Sequence, residues 1–329
     1  MIRLLVFFFA LVFQPGAWVL QAQGNDLVQG TWWKLDRQQG TAQQVSLEEL
    51  AQQTQSDSIL LVGEIHDSTF HQRGQLDLLE ALTEQGLHFD VGMEFFNRRD
   101  QLWVEMYMTN GISEEEFLEK ISWSGGYRFD LYREQTLWPR SYGGLTWGLN
   151  LPRSITGKVM RQGLDSLTEE EAQYIPRNFQ AGNALYRERF EAIIEDQHGG
   201  HKLPPEVMDR WFLAQSLWDD YMAETIVDEA FKTDPSEPGL VVIVGSFHVE
   251  YGGGLKDRLV QRGIAPERLI SITQHFIFPW EEPEQIAQKL AQPHDRYGVI
   301  ADYIHLTYPD RKKTLEILQS NGFVPTPVP

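Results

Sequence analysis

The sequence predicts an α/β fold in which helices cover both faces of a mostly parallel central sheet and helical insertions form a cap. Two uninterrupted apolar runs, at residues 58–62 and 240–244, indicate strands that are buried on both faces. Residues 69–85 repeat leucine at the spacing of a helix that packs one side against a core. Alternation of strands with helices is typical of a parallel sheet, because parallel neighbours need a long crossover connection.

The other predicted elements extend this pattern along the chain. Further strands are predicted at residues 89–93, 145–149, 269–272 and 299–304. Helix starts are predicted at residues 46–49 and at a capping box at 168–171. Three further helices are predicted to span residues 183–195, 205–230 and 254–262. The helix-rich stretches near 95–145 and 155–235 are too long for simple crossovers. We therefore predict that both are helical insertions and that they form the cap.

Composition and charge narrow the function classes. The 329 residues include 28 Lys+Arg and 47 Asp+Glu, and the formal net charge of −19 argues against binding to nucleic acid. The hydrophobic share of 42% excludes a disordered chain. The absence of Cys excludes disulfides, thiolate metal sites, iron–sulfur clusters and a cysteine nucleophile.

The N-terminus predicts export. Residues 1–22 combine a basic start, an apolar run at residues 4–13 and a small-residue cleavage site at Ala22, which is the layout of a signal peptide. The run is short for a transmembrane helix, and an uncleaved anchor is the alternative. Because the chain has no Cys, it cannot be a lipoprotein, and we expect a periplasmic or secreted protein.

Three further segments are predicted after the signal peptide. Residues 23–45 are polar and Gln-rich and form a lead-in. The α/β domain with its insertions spans residues 46–322, and the Pro-rich residues 323–329 form an extended tail.

Two segments of the sequence resemble each other and point to one edge of the sheet. Each is an apolar strand that runs into Gly-x-x-His, ending at His66 in the first and at His248 in the second. Ligands of parallel sheets bind beyond the carboxyl ends of strands, where glycine allows a sharp turn. The other polar residues at or beside predicted strand ends are Glu64, Asp67, Glu94, Asn150 and Arg153. We predict that these side chains converge on one rim.

The residue types at this rim suggest metal or acid–base chemistry. His66, Glu94 and His248 are a ligand set for a divalent metal, and Glu64 beside them adds a carboxylate that can help activate water. The alternative is that each His is only a hydrogen-bonded loop residue, since one Gly-x-x-His is a weak signal. The repeat of the motif, with a carboxylate from a third strand, favours a functional rim.

Five short motifs occur in a defined order. They are Gly63-Glu64-Ile65-His66-Asp67, Gly92-Met93-Glu94-Phe95-Phe96, Asn150-x-Pro152-Arg153, Gln215-x-x-Trp218-Asp219 and Gly245-Ser246-x-His248. Together they resemble the ChaN-like haem-binding uptake proteins of the Tiki superfamily, which also contains TraB-like proteins and erythromycin-esterase-like enzymes. The resemblance covers roughly residues 55–265. It implies an α/β sheet with helical insertions and a periplasmic or membrane-attached role in haem and iron uptake.

The same resemblance implies how haem would be held. It implies haem near the cap between two subunits, hence a homodimer, with Tyr ligation, and an outer-membrane haem-uptake machinery as a partner. Tyr107 matches a tyrosine of the family pattern, and Arg153, His198 and His201 are further candidates for haem contact. The alternatives are a half-buried tyrosine on an amphipathic helix and a polar loop around the two histidines.

Two polar residues are placed by helix periodicity. Gln215 and Asp219 lie four residues apart in the helix predicted at 205–230, so they share one face. We expect them to orient a rim histidine through a hydrogen bond, as supporting residues often do in metal and catalytic sites. The alternative is a solvated stripe on the helix surface.

Three functions remain open on the sequence. The first is a haem-binding protein of the bacterial periplasm, which is not an enzyme. The second is a metal-dependent hydrolase, either an esterase or a peptidase, that uses Glu64, His66, Glu94 and His248. The third is a rim that serves stability alone, and we rank the three in this order.

Overall fold

An eight-stranded sheet forms the centre of the computed structural model, which describes residues 30–123, 126–231, 238–278 and 281–309. The strands are β1 (Thr31–Asp36), β2 (Thr41–Val45), β3 (Ile59–Glu64), β4 (Phe89–Asn97), β5 (Thr146–Asn150), β6 (Gly239–Gly245), β7 (Leu269–Phe276) and β8 (Tyr303–Thr307). Their order is β2-β1-β8-β7-β3-β6-β4-β5. The six strands from β8 to β5 run parallel, and β1 is antiparallel to both of its neighbours.

The helices of the described residues lie on both faces of this sheet. They are α1 (Leu47–Gln53), α2 (Thr69–Glu84), α3 (Gln101–Met108), α4 (Glu114–Lys120), α5 (Arg133–Leu137), α6 (Arg153–Gln162), α7 (Ala184–Gln197), α8 (Pro205–Thr225), α9 (Leu255–Gln261) and α10 (Pro283–Ala291). A π-helical turn, Ile226–Ala230, continues α8. The predicted mostly parallel α/β fold is confirmed.

The central strand β3 shows why its sequence is uninterrupted. Leu60 and Val62 face one core cluster, which contains three leucines of α2, while Ile59 and Leu61 face a second cluster built with α8 and α9. Successive side chains of a strand point to opposite faces, so a strand covered on both sides needs apolar residues at every position. All four side chains are fully buried.

The two predicted insertions are helical. Helices α3, α4 and α5 fall within 95–145, and their aromatic residues extend the first core cluster. Helices α7 and α8 fall within 155–235, and α6 overlaps the start of that stretch. Helix α6 begins directly after the carboxyl end of β5, next to the predicted rim, whereas α3 and α5 contact Thr146 at the amino end of this strand.

Three details differ from the sequence-based prediction. The lead-in 23–45 contains β1 and β2, whose residues Trp32, Trp33 and Leu35 are buried, so these residues join the sheet. The last strand occupies Tyr303–Thr307 rather than 299–304. The capping box at Thr168 and Glu171 forms, but only a short 3-10 helix, Glu171–Tyr174, follows it.

The predicted signal peptide at 1–22 and the predicted tail at 323–329 lie outside the described residues. Across the part of the chain that the structure describes, no helix combines the length and apolarity needed to cross a bilayer.

Candidate functional site

The two Gly-x-x-His segments meet at the centre of the sheet. Strands β3 and β6 are parallel neighbours, and Glu64 pairs in register with Gly245. A Cβ atom on Gly245 would lie 3.2 Å from the His66 ring and 3.6 Å from the His248 ring. Both imidazoles therefore approach the same glycine, and the absence of a side chain there leaves room for them.

His66 is paired with a fully buried carboxylate. Its Nδ1 lies 2.9 Å from Glu64 Oε1, and the Tyr132 hydroxyl donates to the same oxygen at 2.7 Å. The side-chain amides of Gln72 and Gln75 each donate to Glu64 Oε2 at 2.6 Å. Burial lowers the pKa of His66, but the hydrogen bond to Glu64 and the charges of nearby carboxylates outweigh burial and raise it.

His248 is paired with a different buried carboxylate, that of Asp219. Its Nδ1 lies 2.6 Å from Asp219 Oδ1, and the Tyr186 hydroxyl donates to Asp219 Oδ2 at 2.7 Å. The Gln215 amide nitrogen lies 3.3 Å from the same Nδ1. Burial lowers the pKa of His248, but the charges of Asp219 and Glu94 raise it to about 9.

Glu94 lies beside His248. It lies in β4, where its Oε2 accepts the Gly245 N–H at 2.7 Å and its Oε1 lies 3.7 Å from His248 Nε2. The Asn150 amide, at the end of β5, donates to the Glu94 carbonyl at 2.9 Å. These bonds tie together the carboxyl ends of β4, β5 and β6.

The predicted metal set finds no support in this geometry. The part of the chain that the structure describes contains no group of three or more His, Asp or Glu side chains placed to hold a metal ion. The Nδ1 atoms of His66 and His248 each face their own carboxylate, and Glu94 accepts a backbone N–H. The rim is therefore a pair of His–carboxylate dyads beside a third carboxylate.

A cavity of about 270 Å³ opens beside the rim. The residues that line it include Glu94, Phe95, Trp123, Tyr127, Arg153 and Trp218. The Arg153 guanidinium donates to the Tyr127 hydroxyl at 3.0 Å and lies 5.2 Å from the centre of the Tyr127 ring. The His66 ring lies 4.9 Å from the same ring, which places the first dyad next to the cavity.

Tyr107, the predicted haem ligand, lies elsewhere. It is buried in the first core cluster, its ring stacks on Phe117 at 4.6 Å, and its hydroxyl donates to Glu114. Burial and that hydrogen bond raise the pKa of Tyr107 to about 12. The geometry matches the alternative of a packed tyrosine, because the ring and hydroxyl already have protein partners.

The remaining predicted residues are also placed. His198 and His201 lie exposed in the α7–α8 loop, where His198 Nδ1 bonds to the Ile194 carbonyl, and neither lines the cavity. Asp67 has a φ of 57° and its Oδ1 accepts the Arg128 N–H at 2.9 Å, so it shapes the loop after His66.

Sequence reasoning missed three tyrosines of the site. Tyr127 lines the cavity, Tyr132 bonds Glu64, and Tyr186 bonds Asp219. All three come from the insertions, where no motif or strand end marks them. The aromatic richness of the insertions was the available signal, and it does not single out these positions.

Comparison with known families decides the relationship. A sequence model described as haem-binding uptake, Tiki superfamily, ChaN, matches residues 50–259, which is more than half of the chain. The chain belongs to this haem-binding uptake family. A search of the curated proteins found no match.

A search of the solved structures found proteins that are similar to this chain. The structure of cofacial heme binding to ChaN of Campylobacter jejuni has a TM-score of 0.58 at 18% identity and covers 84% of this chain and 96% of that chain. An erythromycin esterase mutant in its open conformation has a TM-score of 0.41 at 13% identity, and the match covers 88% of this chain and 87% of that chain. The type III effector HopBA1 has a TM-score of 0.42 at 11% identity, and the match covers 80% of this chain and 94% of that chain.

Proposed function

We propose that this member of the haem-binding uptake family binds haem in the cavity beside the rim and takes part in haem and iron uptake in the bacterial periplasm. The observation that carries the proposal is the lining of the cavity, which combines aromatic walls, a tyrosine and arginines. A haem needs apolar contact for its ring, an axial donor for its iron and cations for its propionates.

The residues present fit that group. Phe95, Trp123 and Trp218 supply apolar wall, and Arg153 supplies a cation for a propionate. Tyr127 supplies an oxygen donor for the iron, in place of Tyr107. Burial raises the pKa of Tyr127 and the charge of Arg153 opposes this, so the guanidinium would help Tyr127 to hold an iron as the phenolate. The bound haem itself supplies the iron and the ring.

The small size of the cavity favours a haem site that is shared between two subunits. Pockets that enclose a drug-sized ligand usually measure about 300–1,000 Å³, whereas this one is about 270 Å³ and open. A haem seated here would leave part of its ring outside one chain. A second copy of the chain would cover that part, which makes a homodimer the expected form. An outer-membrane uptake machinery is the partner that the proposed role requires.

The test is a haem titration of the protein without residues 1–22, followed by absorbance and by size-exclusion chromatography. We expect a saturable Soret band and a shift from monomer to dimer. Arg153→Gln should weaken binding about tenfold, because a hydrogen bond to a charged group is lost. Arg161→Gln is the matched control, because Arg161 lies near the other end of the same helix and does not line the cavity. A linear, unsaturable increase in absorbance would mean that haem associates without a site.

The paired dyads favour hydrolysis as a second candidate function, now without a metal. A histidine whose Nδ1 is held by a carboxylate keeps Nε2 available as a general base for water. His66 has this arrangement next to the cavity.

This second candidate makes its own prediction. In EDTA-treated, haem-free protein, His66→Ala should lower the rate of ester hydrolysis about 100-fold or more if the base is real. The control is His198→Ala, which changes an exposed loop histidine. A panel of para-nitrophenyl esters supplies the assay. Equal rates for the wild type and His66→Ala would rule out hydrolysis with His66 as the base.

A further inference from the structure

The two dyads of the rim share one arrangement but differ at the second ring nitrogen. In each dyad, a carboxylate faces the histidine Nδ1 and accepts a tyrosine hydroxyl. Nε2 of His248 lies 3.7 Å from Glu94 Oε1, so both nitrogens of that ring face carboxylates. Nε2 of His66 has no hydrogen-bond partner among the residues that the structure describes, and this side chain is 29% exposed. His66 is therefore the rim histidine with an open nitrogen.

The oxygens of Glu64 leave no room for the proton that His66 shares with them. A carboxylate offers about four lone-pair sites. His66 Nδ1 and the Tyr132 hydroxyl occupy Oε1, and the amides of Gln72 and Gln75 occupy Oε2, all at 2.6–2.9 Å. Four donors fill the carboxylate, so the shared hydrogen belongs on Nδ1 and Nε2 keeps its lone pair.

Further hydrogen bonds hold two of these donors in the donating orientation. The Tyr132 hydroxyl accepts the Asp67 N–H at 3.1 Å, which directs its own hydrogen to Glu64. The Gln75 amide donates its second hydrogen to Gln274 Oε1 at 3.1 Å. Both hydrogens of the Gln75 amide nitrogen are thus in use, one on Glu64 and one on Gln274.

A neutral histidine fixes the far end of this amide chain. Gln274 Nε2 donates to His305 Nδ1 at 2.9 Å and to the His71 carbonyl at 3.0 Å. Burial lowers the pKa of His305 to about 3, so the ring is neutral at physiological pH and its Nδ1 accepts. A reversed Gln274 amide would set its oxygen against both acceptors. Gln75 therefore cannot turn its own oxygen toward Glu64 without breaking this chain.

We propose that Tyr132 and Gln75 are positioning residues for His66. Their hydrogen bonds keep the shared proton off Glu64, which makes His66 Nε2 the open base of the rim. The inference goes beyond both proposed functions, because it concerns the His66 ring in the protein without haem or substrate. It also separates the two dyads, since both nitrogens of His248 face carboxylates.

The tautomer of His66 tests the proposal in the wild type. In protein labelled with ¹⁵N at histidine, ring correlations distinguish a protonated nitrogen from an unprotonated one. The signals of His66 are assigned by their loss in His66→Gln. We expect the neutral ring to carry its hydrogen on Nδ1. A neutral ring with its hydrogen on Nε2 would overturn the proposal, whether or not the protein binds haem or hydrolyses esters.

Two substitutions test the positioning role from different elements of the fold. Tyr132→Phe and Gln75→Met each remove one donor from Glu64. The carboxylate then accepts more strongly from His66, so the Nδ1–H resonance should move downfield and the ring should keep its second proton to a higher pH. The other charges that act on the ring, those of Glu94 and His248, are the same in both variants.

Tyr107→Phe is the matched control. It also removes a buried hydroxyl that donates to a carboxylate, that of Glu114, but it lies away from the rim. The signals of His66 should stay in place in this variant. If Tyr132→Phe and Gln75→Met lower the stability of the protein without moving the signals of His66, both residues serve the core alone and the proposal is wrong.

Discussion

Replacing Asp219 with Asn is expected to lower the free energy of unfolding at neutral pH by about 3 kcal/mol, because it breaks a buried ion pair and leaves one partner behind. Asp219 is completely buried and His248 is 6% exposed, so water cannot replace the lost charge. Glu94 lies 3.7 Å from His248 Nε2 and compensates only in part. Urea unfolding of both proteins measures the difference.

The free energy of unfolding should depend on pH, because folding changes the pKa of His248. The folded-state pKa of His248 is about 9, above the ordinary value of 6.5, so folding favours the protonated ring. The resulting stability is complete below about pH 6.5 and is lost as the pH rises through about 9. The shift corresponds to about 3 kcal/mol. Asp219→Asn should therefore differ most from the wild type at and below neutral pH and least above pH 9.

The control is a carboxylate on the same helix. Asp209 pairs with Arg187, but its side chain is 57% exposed, and such surface pairs contribute about 1 kcal/mol or less. Asp209→Asn should thus leave the unfolding curve nearly unchanged. Equal losses for the two variants, or a wild type whose stability does not fall between neutral pH and pH 9, would contradict a charged His248–Asp219 pair.

The six parallel strands and the rim were predictable because each depends on local sequence. Continuous apolar runs mark strands covered on both faces, and Gly-x-x-His at two strand ends placed His66 and His248 together. Helix periodicity also put Gln215 and Asp219 on one face, and the structure places both beside His248. In each case a short pattern determines which way a side chain points.

The parts that were not predictable depend on long-range packing. Tyr132 reaches Glu64 across 68 positions of sequence, and Tyr186 reaches Asp219 across 33. Nothing near either tyrosine indicates its partner. The edge strands β1 and β2 were missed because only part of each strand is buried, so exposed polar residues such as Lys34, Gln43 and Gln44 interrupt the apolar pattern.

Long-range packing also determines which tyrosine, Tyr107 or Tyr127, lies where it can contact a haem in the cavity. Tyr127→Phe is expected to remove the absorption features of tyrosine-ligated ferric haem and to weaken haem binding about tenfold or more, since the iron loses its oxygen donor. The ring of the Phe still packs against Phe95, so the wall of the cavity remains. Absorbance and electron paramagnetic resonance spectra of the haem complex measure the change.

Tyr107→Phe provides the contrast, because the two variants remove the same atom from different surroundings. The Tyr107 hydroxyl is already bound to Glu114, which is also held by Arg133 at 2.6 Å, and the ring lies in the core. Its loss should cost about 1 kcal/mol of stability and leave the haem spectrum unchanged. A changed spectrum in Tyr107→Phe with an unchanged one in Tyr127→Phe would mean that haem enters the cap between α3 and α4. In that case the cavity beside the rim would be left to the two dyads and to hydrolysis.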